Sequence, residues 1–231
     1  SCAILDDGSV SCWGYNANAA LGDGTRTNRD TPTQTASLGT DRTAVAISTD
    51  SAHTCTILDD GTVSCWGENT NGQLGDGTTN DRLSPTQTSS LGTDGVAIAV
   101  DTGTSHTCGL IVTEGDAGEY NGAEVYCWGR NHNGQFGDGT TTDQNTPTQT
   151  ASFGTDVYQG VISAFNLHTC TILDDGTVSC WGNNANGELG DGTTTDSTTP
   201  TQTASLGTGR TAVAISAGDY HTCVILDDGS V

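Results

Sequence analysis

One string of residues is spelled out four times in this chain, and that repetition constrains the fold more than any other feature. The clearest copy reads His53-Thr54-Cys55-Thr56-Ile57-Leu58-Asp59-Asp60-Gly61-Thr62-Val63-Ser64-Cys65-Trp66-Gly67, then Asn69, Gly72, Leu74, Gly75-Asp76-Gly77-Thr78 and Pro85-Thr86-Gln87-Thr88. Its tryptophan recurs as Trp13, Trp66, Trp128 and Trp181, at spacings of 53, 62 and 53 residues. A period of this size means stacked supersecondary units that bury their apolar faces against one another.

Each unit offers four short strands. The small-apolar run at 44–47 is matched by 96–100, 160–164 and 212–215. Two hairpin strands follow, at 53–58 and 62–66. A last strand opens at Pro85, matched by Pro32, Pro147 and Pro200, each twenty residues after the second cysteine. Proline cannot donate to a ladder, so the sequence predicts it at the first residue of an edge strand. With only 32% hydrophobic residues and 32 glycines, the composition favours many short strands joined by tight turns. The expected fold is all-β: propeller blades of four antiparallel strands, in a ring that is incomplete or a window of a longer array. The units divide as 1–52 (entered mid-hairpin), 53–105, 106–167 with a hairpin insertion, 168–220, and 221–231 opening a fifth.

The nine cysteines fall as Cys2/Cys12, Cys55/Cys65, Cys108/Cys127, Cys170/Cys180 and Cys223, whose partner would lie outside the chain. Three pairs are ten residues apart around an Asp-Asp-Gly turn. A three-residue loop on Asp59-Asp60-Gly61 sets Leu58 opposite Thr62, and hence Cys55 opposite Cys65 in a non-hydrogen-bonded pair, where side chains lie closest. That placement suits cross-strand disulfides, and no CxxC spacing supports the rival metal reading. Disulfides point to an oxidising compartment, and so to an extracellular or cell-surface protein.

The net charge of −22, with no lysine, makes nucleic acid and anionic lipid poor partners. No run of 18 apolar residues is present to span a membrane.

The string Asp-Gly-Thr-Val-Ser-Cys-Trp-Gly-x-Asn-x-x-Gly-Gln-Leu-Gly-Asp-Gly-Thr resembles the repeat of the regulator of chromosome condensation. Gly72-Gln73-Leu74-Gly75 and Gly134-Gln135-Phe136-Gly137 match it closely, Gly187-Glu188-Leu189-Gly190 keeps its shape, and Ala19-Ala20-Leu21-Gly22 loses the first glycine and the glutamine. The resemblance covers the whole chain and implies a β-propeller, usually of seven blades, with the repeat offset from the blade. Seven units of this period need more than 231 residues, so a longer array or a four-unit assembly completed between chains is expected. Nucleotide exchange on a small GTPase, a role the resemblance brings, belongs to a reducing compartment and fits disulfides poorly. Secreted bacterial or archaeal members are closer in setting.

Candidate sites are few. His53, His106, His168 and His221 share one repeat position, either as a metal-facing ring or as buried histidines bonded to a neighbouring loop. Asp76 and Asp81, Asp138 and Asp143, and Asp191 and Asp196 pair within oxygen-rich loops that invite Ca²⁺, although an aspartate among glycines is also a turn former. The insertion 114–122 breaks the repeat, and its Glu114, Asp116, Glu119 and Tyr120 make it a candidate binding loop. No constellation for catalysis stands apart from the repeat, and no organic cofactor is expected. The reading is therefore a non-enzymatic structural or adhesive scaffold, with self-association into a fibre among its forms. The alternatives are a soluble secreted protein-binding module and a Ca²⁺-dependent binding propeller.

Overall fold

The computed structural model describes residues 1–50, 52–113, 122–153 and 157–231, and every regular element among them is a strand. In chain order these are β1 (Cys2–Ile4), β2 (Val10–Gly14), β3 (Arg29–Gln34), β4 (Ala44–Thr49), β5 (His53–Leu58) and β6 (Val63–Gly67). Then come β7 (Arg82–Gln87), β8 (Gly95–Thr102), β9 (His106–Thr113), β10 (Glu124–Gly129), β11 (Gln144–Gln149) and β12 (Val157–Phe165). The last are β13 (His168–Leu173), β14 (Val178–Gly182), β15 (Ser197–Gln202), β16 (Ala212–Ala217) and β17 (Thr222–Leu226). Strands β4 to β7, β8 to β11 and β12 to β15 form three complete antiparallel blades, flanked by β1-β2-β3 and β16-β17.

The Asp-Asp-Gly turn fixes each blade's central hairpin. Asp60 Oδ1 accepts from the amide and hydroxyl of Thr62, at 3.1 and 2.7 Å. Gly61 takes φ +76°, a left-handed conformation that only glycine adopts without strain. The Leu58 amide then closes the loop on the Thr62 carbonyl at 2.9 Å. From that pair the register counts back to Cys55 opposite Cys65.

Strands β4, β8, β12 and β16 pack against one another in succession and form the innermost layer. Strands β3, β7, β11 and β15 are outermost, and here the structure corrects the sequence reading. Proline is the fourth residue of each outer strand, not the first. The register jumps from Cys65↔Thr86 to Gly67↔Arg82, so Leu83–Pro85 bow away where no ladder bond is asked of the proline. The residues before it join the strand because pairing resumes beyond the bow, Gly14 with Arg29, Gly67 with Arg82, Gly129 with Gln144 and Gly182 with Ser197. In the later blades the preceding unit adds a bond. The amides of Gly24, Gly77 and Gly139 donate to the carbonyls of Leu83, Asn145 and Thr198 at 2.8–2.9 Å.

The core is a series of layers between blades. One layer joins Cys55, Ile57, Val63, Cys65, Leu74 and Leu91 of one blade to Ala97, Ile111 and Trp128 of the next. Trp66, Trp128 and Trp181 are fully buried in successive layers. Removing one such side chain from water contributes roughly 4–6 kcal/mol before ordering entropy is subtracted.

Candidate functional site

His53, His106 and His168 each open the second strand of their blade and reach across to the next, whereas His221 precedes β17 and is exposed. His53 Nε2 lies 2.8 Å from the Thr107 hydroxyl, which donates to the Gln73 carbonyl at 2.8 Å. His106–Thr169–Gln135 and His168–Thr222–Glu188 repeat the relay. The same loop carbonyl also accepts an indole: Trp66 Nε1 donates to Ala20 and Trp181 Nε1 to Gln135, at 2.9 and 2.7 Å. The loop comes this close because a glycine faces each indole; a Cβ on Gly75 would stand 2.8 Å from Trp128 Cδ1.

A carbonyl only accepts, so the Thr107 proton points at Gln73 and His53 must present Nε2–H. Burial favours the same neutral form, pushing His53 down to about 4 and His106 to about 3. These rings are therefore tied to threonines of the next blade. Among the described residues no group of three metal-ligating side chains converges.

The loop between β6 and β7 is organised by an asparagine that the sequence reading passed over. Asn69 Nδ2 donates to Asp76 Oδ1 and to the carbonyls of Thr78 and Asn80, at 3.1–3.2 Å. Its Oδ1 accepts the Leu74 amide at 3.0 Å, and its own amide donates to Asp81 Oδ1 at 2.9 Å. Asn131 repeats this with Asp138 and Asp143, and Asn184 with Asp191 and Asp196.

The remaining carboxylate oxygens are engaged too. Asp76 Oδ2 accepts from Arg82, Asp81 Oδ2 from Arg26 and Asp196 Oδ2 from Asn133. Asp138 and Asp191 turn both oxygens to the hydroxyls of Thr140 and Thr193. Asp143 takes the Asn131 amide on Oδ1 at 2.7 Å, and its Oδ2 lies 3.4 Å from His132 Nε2. Burial alone would raise the Asp76 carboxyl, but the Thr78 and Arg82 donors outweigh it and hold it below its usual range.

Asp76, Asp81, Asp138, Asp143, Asp191 and Asp196, which the sequence offers as pairs of Ca²⁺ ligands, are each engaged by hydrogen-bond donors in this structure. Within each loop the two carboxylates are turned to amide, hydroxyl, guanidinium or imidazole groups. A cation cage needs oxygens converging on a common point, and these already serve as acceptors for the loop. The signal for the hub was present in the sequence: Asn16, Asn69, Asn131 and Asn184 each stand three residues after the tryptophan.

Four disulfides close the hairpins, Cys2–Cys12, Cys55–Cys65, Cys108–Cys127 and Cys170–Cys180, with Cα atoms 4.1 Å apart. Cys223 is free and exposed. At the hairpin tips Arg42 pairs with Asp59 and Asp60, and Arg210 with Asp227 and Asp228. The insertion falls between β9 and β10 in the sequence, and its Glu114, Asp116, Glu119 and Tyr120 lie outside the described residues.

Asp101 is a further group that the repeat conceals. It stands where the other inner strands carry Ser48, Ser163 and Ser216, each opposite the first cysteine of its hairpin. Its Oδ1 accepts from the Ser48 hydroxyl at 2.7 Å and its Oδ2 from the Ala164 amide at 2.9 Å, so it joins three blades. Burial pushes its carboxyl above the usual range.

The model of the regulator of chromosome condensation (RCC1) repeat matches residues 7–57, 60–110, 123–170 and 175–225. This chain belongs to the RCC1 repeat family. Its RCC1 repeats are out of phase with the blades: the match at 60–110 takes β6 and β7 from one blade and β8 and most of β9 from the next. The ultraviolet-B receptor UVR8 of Arabidopsis thaliana is 36% identical over 191 residues, 82% of this chain and 41% of the receptor. Human WBSCR16 superposes with a TM-score of 0.77 at 21% identity, over 96% of this chain and 54% of that one. Yeast RCC1 (Prp20), solved bound to Kap60, gives 0.74 at 18%, over 93% and 49%. This chain thus spans about half the length of these RCC1 relatives or less. Such repeats serve mostly as non-enzymatic binding or exchange-factor modules. Among the described residues no helix is long and apolar enough to cross a membrane.

Proposed function

We propose that this chain is a rigid, non-enzymatic RCC1-repeat scaffold. It binds protein partners through the loops at its blade ends, in an oxidising extracellular or cell-surface setting and in a structural or adhesive role. One observation carries the reading. The reactive side chains that recur once per blade (His53, Thr107, Trp66, the Cys55–Cys65 pair, Asp76) hold the blades or their loops together. What remains to meet a partner is the set of turns and insertions at the blade ends. Yeast RCC1, which shares this fold, is solved bound to another protein, Kap60, and a charge of −22 favours a basic partner.

Alkylation of the native protein without reductant tests the setting: Cys2, Cys12, Cys55, Cys65, Cys108, Cys127, Cys170 and Cys180 should stay unmodified, and their modification would overturn it. Replacing residues 115–121 by a short Asp-Asp-Gly turn tests the loop. Binding to any partner purified with the protein should fall, and unchanged binding counts against the insertion. Prolines in the exposed outer strands oppose polymerisation by edge pairing, so the proposal is a discrete scaffold. Continuous fibres in electron micrographs of native material at its natural salt would overturn that part.

A further inference from the structure

The outer rim of every blade carries one sequence: Thr31-Pro32-Thr33-Gln34-Thr35, Ser84-Pro85-Thr86-Gln87-Thr88, Thr146-Pro147-Thr148-Gln149-Thr150 and Thr199-Pro200-Thr201-Gln202-Thr203. The structure sorts the hydroxyls of this motif into three kinds. The last threonine (Thr35, Thr88, Thr150) is buried. The one after proline (Thr33, Thr86, Thr148, Thr201) donates to the carbonyl two residues back at 3.1–3.2 Å. The residue before proline makes no side-chain hydrogen bond, and Thr31 and Thr199 are exposed while Ser84 and Thr146 are half-buried.

Proline also confines the residue before it to extended backbone. The rim therefore offers an unbonded hydroxyl on an extended, outward-bowed segment at a strand edge with no further strand beside it. Ser/Thr-rich segments with proline are the composition of O-glycosylated stalks, and no Asn-x-Ser/Thr acceptor occurs anywhere in the chain.

We propose that the pre-proline rim hydroxyls, Thr31 and Thr199 first among them, are sites of O-linked glycosylation; this rests on the exported setting proposed above. The donor is a sugar activated as a nucleotide- or lipid-linked phosphate. The threonine Oγ1 attacks the anomeric carbon, the bond from that carbon to the phosphate oxygen breaks, and the hydroxyl proton leaves with the phosphate. The product places a bulky, solubilising group over a bare strand edge, the position most exposed to unwanted pairing.

The test is the intact mass of the protein purified from its native source without reductant. Hexose-sized or similar sugar increments above the disulfide-bonded polypeptide are expected, and fragmentation that retains the sugar should place them at Thr31 and Thr199. T31V and T199V expressed in the same source should each remove one site, whereas T33V and T201V should leave the mass pattern unchanged. A native mass equal to the bare chain, or sugars placed at Thr33 and Thr201 instead, overturns the proposal. The same material separates this failure from that of the setting: bridged Cys55–Cys65 and Cys170–Cys180 peptides without sugar leave the oxidising compartment standing, and free thiols at these positions remove it.

Discussion

His53 Nε2 and the Thr107 hydroxyl meet at 2.8 Å across a blade boundary, in a site where both side chains are fully buried. Thr107→Val keeps the shape but leaves the His53 N–H and the Gln73 carbonyl without this partner. Each orphaned group costs about 1–3 kcal/mol, so a loss of roughly 2–4 kcal/mol is expected. Denaturant midpoints under non-reducing conditions measure it, and Thr107→Ser should recover most of the loss.

Acid should loosen the array through the same histidines. His53 and His106 titrate near 4 and 3 in the fold but near 6.5 when unfolded, so below about pH 6.5 the unfolded chain binds more protons. Their neutral-form stabilisation is complete above pH 6.5 and declines as pH falls through the folded values. Unfolding followed from pH 8 to pH 3 should show that slope, and His106→Gln should flatten it.

Asp101 carries the opposite sign. Its carboxyl is raised by burial, so the ionised form costs stability at neutral pH, and that cost is relieved as pH falls through its folded value toward 3.8. Asp101→Ser supplies the residue of the other blades, and Ser163 shows that a serine here can accept the next blade's amide, from Ala217 at 2.9 Å. The variant should be at least as stable as the parent at pH 8, with the gap moving against it toward pH 4. A gap that does not change with pH would remove the buried-charge account.

The disulfides should be stabilising one at a time. Cys55→Ser with Cys65→Ser opens a ten-residue span, and the expected loss is about 2–3 kcal/mol by the loop-entropy relation. Calorimetry of the double variant against the parent checks it.

Calcium should matter little and Asn69 a great deal. Chelator or added Ca²⁺ is expected to leave the melting temperature in place, because Asp76 and Asp81 already face donors, as do Asp138 and Asp143 in the next blade. Asn69→Ala removes the centre of the loop and should cost roughly 2–4 kcal/mol. Limited proteolysis should then cut within 75–82.

The repeat period, the hairpin register and the four-strand unit were legible because each is a local consequence of spacing: the Asp-Asp-Gly turn alone fixes which cysteines face. The strand position of Pro85 was not, because the residues before it become strand through a pairing of Arg82 with Gly67 that resumes only after the register shift. The Asn69 hub was written in the sequence three residues after each tryptophan, yet an asparagine among Gly, Asp and Thr reads as one more turn former. For the same reason spacing alone does not show that the Asn131 amide donates to Asp143. Asp101 was hidden because its role depends on two other blades, which no single repeat displays.

The cross-blade bonds of the relay are asymmetric: the later blade's threonine and tryptophan donate to the earlier blade's loop carbonyl, and the earlier blade's histidine donates to that same threonine. Such a contact is head-to-tail, so the two sides of a unit differ: one carries the histidine and the loop carbonyl, the other the threonine and the tryptophan. An added copy of the unit, placed in frame, inherits both halves of the connector at once. Lengthening by internal duplication then requires no new interface to be invented, which gives a physical reason for a chain that says the same thing four times.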